Sequence, residues 1–127
     1  MEKKVIDTTS APAAVGAYSQ AIECDGWLFC SGQVPLDPAS EELVSSTIAQ
    51  ETDRVMRNLT AVLNEAGAGW GNVVKVTALL TDIEDFAEFN ETYSSYVGGE
   101  SPPARATFAV AGLPKGARVE VECIARL

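Results

Sequence analysis

The sequence predicts an α+β two-layer sandwich in which a mixed β-sheet carries two helices on one face. Three observations point there. Asp25-Gly26 sits between two apolar runs, a helical stripe runs from Ile48 to Ala66, and an apolar run at Val73–Leu80 lies between two helical segments. The expected order is hairpin, helix, strand, helix, hairpin. A helix joining two strands of one sheet calls for a crossover that places both helices on the same side.

Each element has its own signal. Val5-Ile6 starts a short strand, and residues 7–16 read as a loop carrying Pro12. Asp25-Gly26, between Gln20–Cys24 and Trp27–Cys30, is the signature of a type I′ turn, whose two central residues both need positive φ. Residues 31–45 hold Gly32, Pro35, Asp37 and Pro38 and read as loop. Thr47 followed by Gln50 fits a capping box. Ile48, Val55, Leu59, Val62, Leu63 and Ala66 then share one helix face, and Gly67 and Gly69 supply the stop. Val73–Leu80 is apolar at successive positions, as in a strand buried on both faces. Asp82, Glu84 and Asp85 suit a helix N-terminus. Phe86, Phe89, Tyr93 and Tyr96 mark the second helix, which Gly98-Gly99 ends. Two strands, 104–110 and 117–126, flank the turn around Pro114, and the expected pairing is antiparallel with 107 opposite 120.

The chain has 127 residues, 46% of them hydrophobic, and no repeat or linker divides it, so one domain over residues 1–127 is expected. Its mass implies a folded surface of roughly 6,500 Å². Two helices cannot cover both sheet faces, yet Trp27–Cys30 is apolar throughout and Val73–Leu80 is apolar on both sides except at Lys75 and Thr77. A monomer would leave a large apolar patch in water, so a closed homo-oligomer is expected.

Composition narrows the chemistry. Nine Lys+Arg against 18 Asp+Glu give a net charge of −9, which repels phosphate backbones and argues against a nucleic-acid partner. With no histidine in the chain, Ser-His-Asp and Cys-His systems and imidazole metal sites are excluded. Cys24, Cys30 and Cys123 lack C-x-x-C spacing and suggest neither a zinc site nor a disulfide framework, and no metal is expected. Free thiols without a recognisable leader fit a reducing cytoplasm. No apolar run reaches the roughly 18–20 residues of a bilayer span, so no membrane association is expected.

The last two strands carry the densest chemistry. In the expected register Arg105, Thr107, Glu120 and Glu122 gather on one sheet face beneath no helix, opposite an apolar face of Ala104, Ala106, Phe108, Val119, Val121 and Cys123. On pattern alone these charges read as surface cross-strand pairs worth a few tenths of a kcal/mol. At an oligomer seam, Arg105 could instead clamp a carboxylate, and a partly desolvated glutamate would have a raised pKa suited to proton transfer. Ser31-Gly32 reads as a turn or as an anion contact, Tyr18 as a packed loop aromatic or a gate, and Asn90 as a helix-surface residue or a ligand contact.

Several segments, taken in order, resemble the RidA (reactive intermediate deaminase, YjgF-like) family. They are residues 11–21 (APAAVGAYSQA), 31–35 (SGQVP), 73–77 (VVKVT), 89–93 (FNETY), 103–105 (PAR), 113–114 (LP) and 119–125 (VEVECIA). The resemblance implies a chorismate-mutase-like fold and a homotrimer with ligand clefts at its interfaces. It also implies cofactor-free hydrolysis of 2-imino acids and their enamine tautomers, such as 2-aminoacrylate, 2-iminopropanoate and 2-iminobutanoate, to 2-keto acids and ammonia. By resemblance, Arg105 holds the substrate carboxylate and Glu120 orients the attacking water, while Tyr18, Ser31, Gly32 and Asn90 line the cleft. Thr107 stands where the family's deaminases often have cysteine; this removes a thiol but leaves a backbone able to hold water or substrate. The competing expectations are a non-catalytic trimer that senses small carboxylates and an RNA-cleaving translation inhibitor. Retention of both Arg105 and Glu120 favours the enzyme, since a sensor needs the cation but not the base.

Overall fold

The computed structural model describes all 127 residues. Three strands open the chain as an antiparallel meander, β1 (Lys4–Ile6), β2 (Ala21–Cys24) and β3 (Trp27–Gln33). Helix α1 (Ile48–Glu65) follows, then β4 (Val73–Leu80), helix α2 (Phe86–Val97), β5 (Ala104–Ala109) and β6 (Val119–Arg126). The six strands form one mixed sheet in the order β1-β2-β3-β6-β4-β5, with β4 and β5 parallel and every other pair antiparallel. This is the expected α+β sandwich. Its surface of 6680 Å² matches the area that its mass implies.

Local chemistry forms the elements much as their sequences dictate. Asp25 (φ 53°) and Gly26 (φ 81°) make the left-handed turn that joins β2 to β3. Thr47 caps α1 by accepting a 3.1 Å hydrogen bond from the Gln50 amide, but the capping box is half made, because the Gln50 side chain pairs with Ser46 instead. Asp82 accepts from the Glu84 amide at the start of a short 3₁₀ turn, Ile83–Asp85, that leads into α2. Val55, Met56, Leu59, Val62 and Leu63 of α1 and Phe89 of α2 are fully buried against Leu28, Val76, Ala78, Leu80, Val119 and Val121 of the sheet. Cys30 and Cys123 face each other across β3 and β6 inside this layer.

Two expectations require correction. Strands β5 and β6 do not form a hairpin. β5 leaves α2 parallel to β4 and takes the sheet edge, while β6 inserts between β3 and β4, so Thr107 lies beside Ala78 and Glu120 beside Leu79. The crossover through α2 places β5 next to β4, and the segment between Ala109 and Val119 is long enough to carry the chain past β4. The second correction concerns β4 and β3, which are not buried on both faces. Burial alternates along β3, with Trp27 and Phe29 out and Leu28 and Cys30 in, and along β4 from Lys75 onward. β3 also runs on to Gln33 through a bulge, where loop was expected from Ser31.

The uncovered sheet face is apolar in its middle. Ile22, Phe29, Ile124 and Lys75 are successive neighbours across it, and Trp27, Phe29 and Phe108 remain 40%, 48% and 50% exposed.

Arg118, at the start of β6, ties this layer to α1. It bonds the Glu51 carboxylate, which is 1% exposed, and the Ser46 carbonyl. Removing Arg118 leaves the buried Glu51 carboxylate without its cation. Arg118→Leu is therefore expected to destabilise the fold by about 2–4 kcal/mol in urea titration, with Arg118→Leu/Glu51→Leu recovering part of the loss.

Candidate functional site

The residues singled out by sequence fall into two groups on opposite faces of the sheet. Alternation along β6 turns Val119, Val121 and Cys123 toward the helices, so Glu120 and Glu122 face the open side. Along β5 the parity runs the other way. Arg105 and Thr107 are neighbours of the buried Val76 and Ala78 and face the helix layer, while Phe108 faces the open side. Arg105, level with Val76, and Glu120, level with Leu79, thus stand on different faces with β4 between their strands, roughly 14 Å apart at the backbone given ordinary strand spacing and rise. The expected grouping of Arg105 and Thr107 with Glu120 and Glu122 on one face does not form within the chain.

The first group surrounds Glu120. Tyr18, Ser31, Gly32, Lys115, Glu120 and Glu122 border a cavity of about 890 Å³ whose wall is completed by the loops before β2 and after β3. Glu120 approaches the bulged end of β3 so closely that a Cβ at Gly32 would meet its carboxylate and displace the side chain from this position. Burial raises the pKa of Glu120, and the neighbouring Glu122 carboxylate raises it further. Lys115 reaches this rim from a residue with φ of 60°, in the turn before β6.

The loop that carries Tyr18 is fastened from below. Gln20 is 2% exposed; its Oε1 accepts from the Thr8 amide at 2.7 Å, and its Nε2 donates to the carbonyls of Thr8, Ala11 and Pro12 at 3.0, 3.4 and 2.8 Å. The Ser31 hydroxyl donates to the Ser19 carbonyl at 2.6 Å and the Ser31 amide donates to the Gln20 carbonyl at 3.0 Å. The Ser31 proton is thus committed to holding this loop, and only the lone pairs of its hydroxyl remain for a ligand. Tyr18 itself is 52% exposed at the cavity mouth.

The second group surrounds Arg105. Its Nη1 donates to Asn90 Oδ1 at 2.7 Å, and its guanidinium carbon lies 5.3 Å from the Phe86 ring centroid and 4.9 Å from that of Tyr93. No carboxylate of the chain pairs with it. Arg105, Asn90 and Tyr93 border a second cavity of about 370 Å³, closed by the turn through Gly98-Gly99 and by Pro102 and Pro103. Tyr93 stacks on Phe89 at 5.4 Å, and its buried hydroxyl has no partner. Burial raises its pKa while the nearby Arg105 charge pulls the other way. Thr107 lines neither cavity, and its buried Oγ is likewise unpartnered.

Sequence reasoning did not find Gln20, Phe86, Tyr93 or Lys115 as parts of these sites. For Phe86 and Tyr93 a signal was present: Phe86, Asn90 and Tyr93 stand at i, i+4 and i+7, on one helical stripe. Gln20 and Lys115 have no pattern of their own and depend on tertiary placement.

The model of the endoribonuclease L-PSP family matches residues 8–127, and the chain belongs to that family, the RidA (YjgF-like) proteins. Among its relatives, the mouse protein named 2-iminobutanoate/2-iminopropanoate deaminase is 50% identical over 123 residues, covering 97% of this chain and 90% of the relative. A Yersinia pestis protein of the conserved Rid family superposes with a TM-score of 0.97 at 44% identity, covering 99% of this chain and 100% of that one. Escherichia coli TdcF with bound serine superposes with a TM-score of 0.90 at 33% identity, covering 98% of each chain. No helix of this chain is long and apolar enough to cross a membrane.

Because Gln20 carries the loop bearing Tyr18, Gln20→Ala is expected to lower stability by about 2–4 kcal/mol through a cavity and unpaired carbonyls. Hydrogen exchange at the Thr8 amide should rise by a larger factor than at the amides of α1. Equal acceleration at both would show that Gln20 acts on the whole fold rather than on the loop.

Proposed function

We propose that this single-domain protein is a cofactor-independent deaminase that hydrolyses 2-imino acids to 2-keto acids and ammonia, in clefts completed by a second copy of the chain. The carrying observation is the pairing of an unneutralised guanidinium at Arg105 with a carboxylate of raised pKa at Glu120, on opposite faces of one sheet. Within one chain they cannot meet around a small molecule. Copies packed through the open sheet face with the β5 edge of one beside the Glu120 cavity of the next would bring Arg105, carried on that edge strand, to the neighbour's carboxylate. A homotrimer, as the family resemblance implies, satisfies this arrangement. The deaminase name of the mouse relative and the serine on the E. coli relative support a small amino-acid-like substrate.

The chemistry matches this inventory. Arg105, held by Asn90, grips the substrate carboxylate with its remaining N–H groups. The iminium carbon is already electrophilic, so water is a sufficient nucleophile. Glu120 accepts a proton as the water oxygen bonds to that carbon, and the C=N π electrons move onto nitrogen. The same proton is returned to that nitrogen, the C–N bond breaks, and the hydroxyl proton leaves with ammonia as ammonium, so that one imino acid and one water give one keto acid and one ammonium. Tyr18, Ser31 and Gly32 border the water-side cavity, and Thr107 lies two residues beyond the carboxylate grip on β5. Enamines such as 2-aminoacrylate enter the same route once protonated at their terminal carbon. Positioning of water and carboxylate supplies several kcal/mol, and a general base adds about 10²–10⁴-fold.

A purely sensing protein would need Arg105 but not Glu120. RNA cleavage, the activity in the family's description, finds no histidine here and meets a net charge of −9, although the last 27 residues carry Arg105, Lys115, Arg118 and Arg126 against two glutamates.

Arg105→Ala is expected to lower kcat/KM for 2-iminobutanoate by about 10²-fold or more, with Arg105→Lys between it and the parent. The check is keto-acid release in an assay that generates the imine enzymatically, with assembly size followed by sedimentation. An Arg105→Ala chain that keeps its assembly and clears the imine at the parental rate overturns the proposal.

The pH profile gives a second test. Glu120 works ionised, so kcat/KM should fall as pH drops through its raised pKa. Glu122→Gln removes the carboxylate that helps raise it, and the acid limb should move to lower pH. In the fold the sign is opposite: a carboxyl with a raised pKa favours the folded state while protonated, and that contribution is lost as pH rises through the raised value. An acid limb that stays in place in Glu122→Gln would remove Glu120 as the titrating base.

A further inference from the structure

We infer that Phe86 and Tyr93 act as an aromatic clamp that fixes the guanidinium of Arg105 for carboxylate binding, with Asn90 setting its rotation. The inference rests on the carboxylate-binding reading of Arg105 and adds two positioning residues to it. An arginine at a sheet edge would ordinarily sample many rotamers and pair with any acid in reach. Here its one hydrogen-bond partner is Asn90, no carboxylate pairs with it, and its charge lies over two rings at 5.3 and 4.9 Å.

The placement follows from the fold. Residues 86, 90 and 93 occupy one stripe of α2, and the parallel β4–α2–β5 connection lays that stripe over the helix-facing side of β5, where Arg105 emerges. The rings offer negative π faces to the cation without neutralising it, unlike a carboxylate. Asn90 takes one N–H of Nη1, which leaves the other donors of the planar fork open toward the cavity bounded by Pro102 and Pro103. Tyr93 is in turn held by its stack on Phe89, itself fully buried. The clamp therefore restricts the arginine before a ligand arrives and lowers the entropic cost of gripping it.

The test compares Phe86→Leu and Tyr93→Leu with the aromatic replacements Phe86→Tyr and Tyr93→Phe, using 2-ketobutyrate as the probe in calorimetric titration. Each leucine variant is expected to weaken binding by about 5- to 30-fold, while the aromatic replacements restore it to within a few-fold of the parent. In parallel, ¹⁵N-resolved NMR of the Arg105 Nε–Hε group should show an upfield ring-current shift in the parent that shrinks in the leucine variants and returns in the aromatic ones. Urea midpoints separate the clamp from a general loss of stability; Phe86 is half-buried, so its replacement keeps the test open if Tyr93→Leu unfolds. Folded leucine variants that bind the probe like the parent, with an unmoved Hε signal, overturn the clamp alone. A parent chain that leaves the probe unbound overturns the carboxylate reading, and with it the clamp's purpose.

Discussion

The position of β6 in the middle of the sheet, between β3 and β4, is the constraint on which the other features depend. Its strict alternation commits Val119, Val121, Cys123 and Ala125 to the core and so obliges Glu120 and Glu122 to stand on the open face. A slip of one residue would drive both carboxylates beneath the helices, at a cost far above any gain in pairing. Once β6 lies there, β5 can reach only the outer edge of β4. The parity of the parallel β4–β5 pair then turns Arg105 toward α2. Separation of cation and carboxylate is thus a consequence of core packing.

Each half of the site is prepared by groups that take no part in chemistry. On one side, Gln20 and Ser31 fasten the loop bearing Tyr18, and the absent side chain of Gly32 leaves room for Glu120. On the other, Asn90 and two aromatic rings hold Arg105 without neutralising it. In the proposed deaminase this separation would matter: a partly buried carboxylate and an unpaired guanidinium are kept apart by the sheet and cannot collapse into an ion pair within one chain. Ligand binding where two copies meet would bring them into one electrostatic field only when both are needed.

The uncovered sheet face carries exposed Trp27, Phe29 and Phe108 alongside the carboxylates of Glu120 and Glu122. Two helices cover one face of the sheet, and the other face is the one through which the proposed assembly would pack. An acidic surface elsewhere on the chain, with 18 Asp+Glu against nine Lys+Arg, keeps that apolar face from being the whole character of the molecule.

Much was legible in the sequence because it is locally encoded. The turn at Asp25-Gly26, the α1 stripe and the alternation along β6 each arise from steric and burial preferences within a few residues and took the predicted form, while of the capping box only the Thr47 half formed. The family resemblance likewise resides in short ordered segments. What the sequence could not supply was strand order. Whether residues 104–109 pair with 119–126 or with 73–80 depends on where a helix-bearing crossover lands, a long-range choice that the local patterns of both segments permit equally. That choice decided which face Arg105 occupies, which aromatics meet it, and that Glu120 stands across the sheet from it. Side-chain alternation is a property of a strand alone, whereas the face it presents is fixed only when its neighbour is.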